Sequence, residues 1–419
     1  MIYLIISFII LAISFVLFKK VSGSLKITQL NMISWVFFFS LLTQSFIASI
    51  LIVNNLDDHY IINKLINEDS RVQGWISVQY VMIMVPLGML LVVRLFGYKN
   101  NNEVFDRYVC SEITPLISNK DTYIKYPLYV LSILSVLSVI YVMQSLDVTL
   151  ADVLIKGLSF EEISIQRQLN SRAFQGNTYI RNILAIGTTP ILTYIAYAYY
   201  KMTHSRSDLL LFIVLFMATF FILTYDFSKA PFVRFLFGFL LLNVLISGFI
   251  RKKVLLFLFV CFVLIFIFLY FFYAGITDIS HLFTYNSGIL GRIMITHATG
   301  VYLSFDLFPG VVEHLNFSSF SGLISSMLDV ELVDRSARIL MINYFPYKAS
   351  SETAGVINSL FIAEAWANFG LLGVLIAPIY VGVIIQLLFM FFLKMPKTPL
   401  LLGPFAFLSY SGTINGGFN

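Results

Sequence analysis

Ten apolar runs divide this chain, and the loops between them alternate between basic-rich and acidic-rich. The runs fall at roughly 1-18, 32-53, 75-96, 125-145, 182-200, 208-224, 231-250, 254-273, 371-393 and 398-417. About 20 apolar residues, each rising roughly 1.5 Å along a helix, cross a hydrocarbon layer of ~30 Å. Charged residues make up 12% of the chain and hydrophobic ones 59%, too little polar surface to cover a soluble core of this length. The expected fold is an all-α integral membrane protein with about 10-12 transmembrane helices and a large, partly helical outer loop near the C-terminal end.

The charge pattern orients these helices. Every second loop gathers Lys and Arg: 15 basic residues against 5 acidic ones, with the remaining 12 and 17 on the opposite side. The positive-inside rule then puts the N-terminus outside and makes 146-181 and 274-355 outer loops. The stretch from Met1 to Phe18 lacks a basic leader and a small-residue cleavage site, so it reads as the first span rather than a signal peptide. At the other end, Ser411 to Asn419 reads as the close of a span with no polar tail after it. Cys110 falls in an inner loop and Cys261 in mid-span, so no disulfide is expected. The formal net charge of +5 is spread over many loops, which argues against a nucleic-acid partner.

Three parts follow: N-terminal spans over 1-273, a large outer loop over 274-370, and C-terminal spans over 371-419. Within the first part, Leu150, Val153 and Leu154 have helical spacing and predict an interfacial helix in 146-181. The large loop carries a helical run from about Gly288 to Ser304. Residues 281-309 are apolar enough to dip into the membrane. No repeat of 20-50 residues and no half-to-half symmetry is visible, which weakens an inverted-repeat transporter reading.

No Walker loop, HExxH, CxxC pair or dinucleotide fingerprint occurs. His281, His297 and His314 are 16 and 17 residues apart, a spacing unsuited to a metal site, and no metal or other cofactor is expected. Cations at the outer ends of spans are more informative. Arg172 and Arg181 lead into the fifth run, Lys229 and Arg234 flank Pro231 at the seventh, Arg292 lies within GILGRIMITHATG, and Arg338 closes the patch DRSAR. A charge near lipid costs roughly 2.5–3.5 kcal/mol on insertion scales, and the positive-inside rule disfavours these positions. Each alone has a plain explanation, snorkelling to headgroups or pairing with Asp226 or Glu161. Together they predict an anion held at the outer interface, since Arg binds phosphate oxygens in pairs and Lys as a point charge.

The second constellation is ETAGVINSLFIAEAWANFGLLG, residues 352-373. Glu364 and Asn368 are four apart and share a helix face, and Gly370 is placed to end that helix before Leu371 opens the ninth run. A carboxylate among Phe361, Ile362, Ala363, Ala365 and Trp366 suits general acid/base work, unless it pairs with an outer arginine to fix the loop. His297 is a second candidate base. It lies about 140° round the helix from Arg292, so those two do not share a face.

A charge-poor protein of many spans with a large outer loop near its C-terminal end resembles the Wzy-type bacterial polysaccharide polymerases, which join O-antigen or capsule repeat units. The resembling stretches are FSKAPFVRFLFGFLLL (227-242), SGILGRIMITHATGVY (287-302) and the segment 352-382, with its acidic residue before Asn-Phe-Gly-x-x-Gly. The resemblance implies a GT-C-like, metal-independent glycosyltransferase at the periplasmic face of the bacterial inner membrane. Its donor and acceptor would be undecaprenyl-diphosphate-linked glycans, its setting membrane lipids, and a chain-length regulator a further partner. Arg172, Arg181, Lys229, Arg234, Arg292 and Arg338 would hold the diphosphate, Glu364 or His297 would act as base, and Tyr302, Tyr344, Trp366 and Asn368 would contact glycan. An O-antigen ligase needs a similar site. A lipid-linked oligosaccharide flippase would instead call for cations lining a path through the membrane, whereas the span centres here are almost free of charge.

Overall fold

The computed structural model describes residues 1–97, 101–116, 121–149, 152, 160–172, 174–228, 230–256, 260, 263–264, 284–286, 288–320, 322–350, 355–411 and 414. Every regular element among them is helical. Eight helices are long and apolar enough to cross a membrane: Ile2–Val21, Met32–Val53, Asp69–Leu95, Lys125–Gln144, Ile180–Thr203, Arg206–Thr224, Ala230–Ser247 and Ile362–Lys394. The chain is therefore a multi-pass, all-α membrane protein. These are the first to seventh and the ninth of the ten expected runs. The eighth, 254-273, and the positions Leu150, Val153 and Leu154 fall largely or wholly outside the described residues. The tenth is a shorter helix, Pro399–Ser411.

Two differences from the expected boundaries have physical causes. The third span begins at Asp69 rather than 75, because its first turn is polar yet packed under the outer loop. The ninth merges with the outer helix that precedes it, so the expected boundary between loop and C-terminal spans at 370/371 falls inside one element, broken only in the backbone at Gly370.

Helix association in lipid relies on small residues and satisfied polar groups. Gly88 of the third span and Gly382 of the ninth lie at their crossing: a Cβ on Gly88 would come within 2.3 Å of the Ile379 carbonyl oxygen, and one on Gly382 within 2.1 Å of that of Val85. Pro86 sits inside the third span and has no N–H to give the Met82 carbonyl four residues back. The Ser14 hydroxyl of the first span supplies that bond at 2.7 Å. Hydroxyl pairs join the next group, Ser135 with Thr189 at 2.6 Å and Thr193 with Thr219 at 2.7 Å. The second span is wound as a π-helix over Val36–Phe46, and the fifth begins as one over Ile180–Thr188.

Long-range bonds sort the loops into two sets. At one end Lys397 donates to the carbonyls of Val109, Ser111 and Ile246, Gln29 donates to that of Gly248, and Lys125 pairs with Asp208 at 3.0 Å. At the other end Asp306 accepts from the backbone of Ile66 and Asn67, Tyr285 donates to the Leu56 carbonyl, and Asn170 to that of Tyr225. The first set matches the basic-rich loops, the second the loops expected outside; the two ends are called inner and outer on that basis.

Candidate functional site

The outer end is built around Thr296–Leu307, a helix buried from Ala298 to Ser304 and packed between the third and ninth spans. With Ile289–Met294 before it, it realises the helical run expected over 288-304, turning at Ile295. Gly74 of the third span leaves room for Tyr302, and Gly300 packs on Ser359.

At the mouth of the ninth span, Gly370 adopts φ 55, ψ -137, a conformation open to glycine rather than the left-handed helical cap expected. The break leaves the last outer carbonyls without helical partners, and a neighbouring segment satisfies them: Leu315 N–H bonds Ala367 at 2.9 Å and Asn316 N–H bonds Asn368 at 3.1 Å. The Asn368 amide donates to the Glu364 carbonyl and its oxygen accepts from Ser319. Glu364 and Asn368 do share a face, and both are buried. Trp366 donates to the Phe308 carbonyl and stacks on Phe305 at 4.5 Å between ring centroids.

A second group converges from four elements. Arg234 lies in the first turns of the seventh span. One turn on, a Cβ at Gly238 would meet the hydroxyl of Tyr194 and the ring of Tyr410, so both tyrosines lie over the face that carries Arg234. His297, from the buried outer helix, lies within reach of the Arg234 charge. Burial first, and that cation second, push its pKa from 6.5 down to about 4. His297 is therefore neutral at pH 7, and its Nδ1 is buried with no hydrogen-bond partner. Arg234 makes one long bond, Nε to the Ala230 carbonyl at 3.5 Å, and has no ion pair among the described residues. A half-buried guanidinium without a carboxylate, beside an uncommitted imidazole and a phenol, is chemically ready for an anion and a proton.

The other expected residues distribute differently. Arg181 is committed: it is buried, donates to the Asn170 and Ser171 carbonyls and to Asn182, and stacks over Phe174 at 4.8 Å. It ties the end of Phe160–Arg172 to the fifth span, so a phosphate would have to displace these bonds. Arg338 donates to the Gly355 carbonyl from the helix Ser336–Tyr344. Arg292 is exposed, and its charge reaches Tyr60, whose phenol is nonetheless raised overall by burial. Lys229 and the side chain of Arg172 lie outside the described residues. Tyr302 is fully buried, and burial drives its phenol above the ordinary range; it presents no ring face to a sugar. Tyr344 is also buried and gives its hydroxyl to Asp306. Asn368 is likewise closed in, so the residues expected to contact glycan at Tyr302, Tyr344 and Asn368 all have their polar groups or faces enclosed by protein.

Three residues escaped the sequence reading. Tyr410 looked like one aromatic of many in an apolar run. Asp306 accepts from Ile66, Asn67, Ser70 and Tyr344, and Asp57 is buried against Arg71 at 2.7 Å. A lone acid inside an apolar outer helix was the available signal for Asp306. No family model, curated protein or solved structure matches the chain, so this geometry stands as the basis for its functional reading.

Proposed function

We propose that this protein is a membrane glycosyltransferase that polymerises lipid-diphosphate-linked oligosaccharide repeat units at the outer face of the bacterial inner membrane. The observation that carries this reading is Arg234, without an ion pair among the described residues, beside neutral His297 and Tyr410 at the outer end of the spans. Arg234 would hold the donor diphosphate at headgroup depth and stabilise the charge that develops on it as the sugar departs. Its approach to His297 places a proton acceptor next to the anion, where the acceptor sugar hydroxyl must be deprotonated. The growing chain leaves its lipid diphosphate and bonds to that hydroxyl oxygen; the proton passes to His297 or to Glu364. Undecaprenyl diphosphate is released, and the energy of its sugar bond drives the reaction. Exposed Arg292 would guide the anionic headgroup inward.

The test is glycan length in cells lacking their own polymerase, complemented with wild type, Arg234→Ala, His297→Gln or Glu364→Gln at matched membrane levels. A ladder with wild type and a single repeat unit with Arg234→Ala supports the reading. Loss of the ladder from lipid A while lipid-linked polymer accumulates would identify a ligase, and repeat units trapped on the inner face a flippase.

A further inference from the structure

We infer that the outer stretches 317–320 and 325–333 form a membrane-inserting lip, seated in the lipid leaflet on the outer side. The lip lies outside every membrane-spanning helix, yet it exposes Phe317, Met327, Leu328, Leu332 and Val333. Met327 is 77% and Leu332 57% exposed, whereas a monomer in water rarely displays apolar side chains so densely. The lip is folded: Val333 N–H bonds the Ser318 carbonyl at 2.9 Å, and Val330 N–H that of Ser325 at 3.0 Å.

Its position identifies what covers it. The bonds from Leu315 and Asn316 to the carbonyls of Ala367 and Asn368 pin it to the last turn before Gly370. Phe317 packs on Phe369 with ring centroids 4.6 Å apart, and Phe320 packs on the same ring at 5.7 Å. Two residues further on, Leu371 and Leu372 open the ninth span at 64% and 68% exposed, on a stretch apolar enough to face lipid. The apolar surface of the lip is thus continuous, through Phe317 and Phe369, with the lipid-facing surface of the span, at the depth where that span begins. An amphipathic segment at that depth gains by burying its apolar side chains among the upper acyl chains. The exposed carboxylates of Asp329, Glu331 and Asp334 interleave with the apolar positions and set headgroup level. Acyl chains beneath a zwitterionic headgroup layer fit this mixture better than a strongly anionic surface.

The experiment needs no assay of activity and is independent of the proposed transferase reaction. Cys110 and Cys261 are replaced by Ser, and single cysteines are placed at Met327→Cys, Leu332→Cys and, as a water-facing reference, Glu68→Cys. The full-length protein is labelled with an environment-sensitive fluorophore and reconstituted in zwitterionic nanodiscs. All three positions are exposed, so the fold is not at stake. The expected result is a blue-shifted emission at 327 and 332, and loss of that emission when phospholipids carry a nitroxide high on the acyl chain, with the label at 68 responding only to a water-soluble quencher. Labels at 327 and 332 that behave like the label at 68 would overturn the inference. So would labels that are water-accessible in nanodiscs but shielded in native membranes, which would assign the surface to a protein partner.

Discussion

Arg234 and His297 lie more than sixty residues apart in sequence, yet the guanidinium lies near enough to add to the burial that keeps the imidazole neutral. The pair combines a cation with no ion pair among the described residues and a base whose Nδ1 is buried without a hydrogen-bond partner among them. Removing a donor that meets developing charge costs a rate factor of about 10²–10³. Arg234→Ala is expected to lower glycan transfer by that factor, with Arg234→Lys retaining part of it because the charge survives and the fork does not. The measurement is initial rate in reconstituted membranes with a lipid-diphosphate-linked donor.

His297 and His59 predict an acid limb in stability. Both have imidazole pKa values lowered by burial to about 4, from an ordinary 6.5. Between those values the unfolded chain binds protons that the folded chain refuses, so stability falls as pH drops from about 6.5 to about 4 and levels off below. Thermal unfolding in detergent across this window should show the decline. His297→Asn and His59→Asn should each flatten it.

The Ser14 hydroxyl completes a helix that Pro86 interrupts. In Ser14→Ala the Met82 carbonyl is left buried and unpaired, which costs about 1–2 kcal/mol. Adding Pro86→Ala restores a backbone N–H to that carbonyl, so the double variant should regain much of the loss. A double-mutant cycle by denaturant unfolding reads the coupling directly.

Lys397 is buried between the last two described helices and gives its ammonium to three carbonyls, on Val109, Ser111 and Ile246. Burial brings its pKa down to about 8. Lys397→Met removes all three bonds at once, and a loss of about 3 kcal/mol is expected. Limited proteolysis should then cut first in the inner loop around Ser111, because that loop loses its tether.

The spans were legible because lipid imposes one length and one chemistry: all eight described crossing helices coincide with apolar runs in the sequence. The sorting of loops into two ends was legible from the alternation of charge, and Lys397, Gln29 and Lys125 meet partners from their own set. The sharing of a face by Glu364 and Asn368 followed from helical period. What could not be read was tertiary. Arg181 looked like Arg234 in sequence, both being cations at outer span ends, but one is spent on carbonyls and the other is not. That difference depends on which loop folds over which span, and spacing along the chain carries no such information. The burial of Tyr302 and Tyr344 was hidden for the same reason: aromatic side chains in an apolar outer loop serve packing as readily as binding.

The close crossing at Gly88 and Gly382 has a mechanical meaning. At these two points backbone lies against backbone, and no side chain stands there to re-rotamerise and let the third span slide along the ninth. The two behave as a single mast, and Thr296–Leu307, lodged against both, is carried on it. His297 rides on that mast, and Arg234 on the seventh span, which packs instead on the tenth, so any shift of the seventh span against the mast would register as a change in the distance between them.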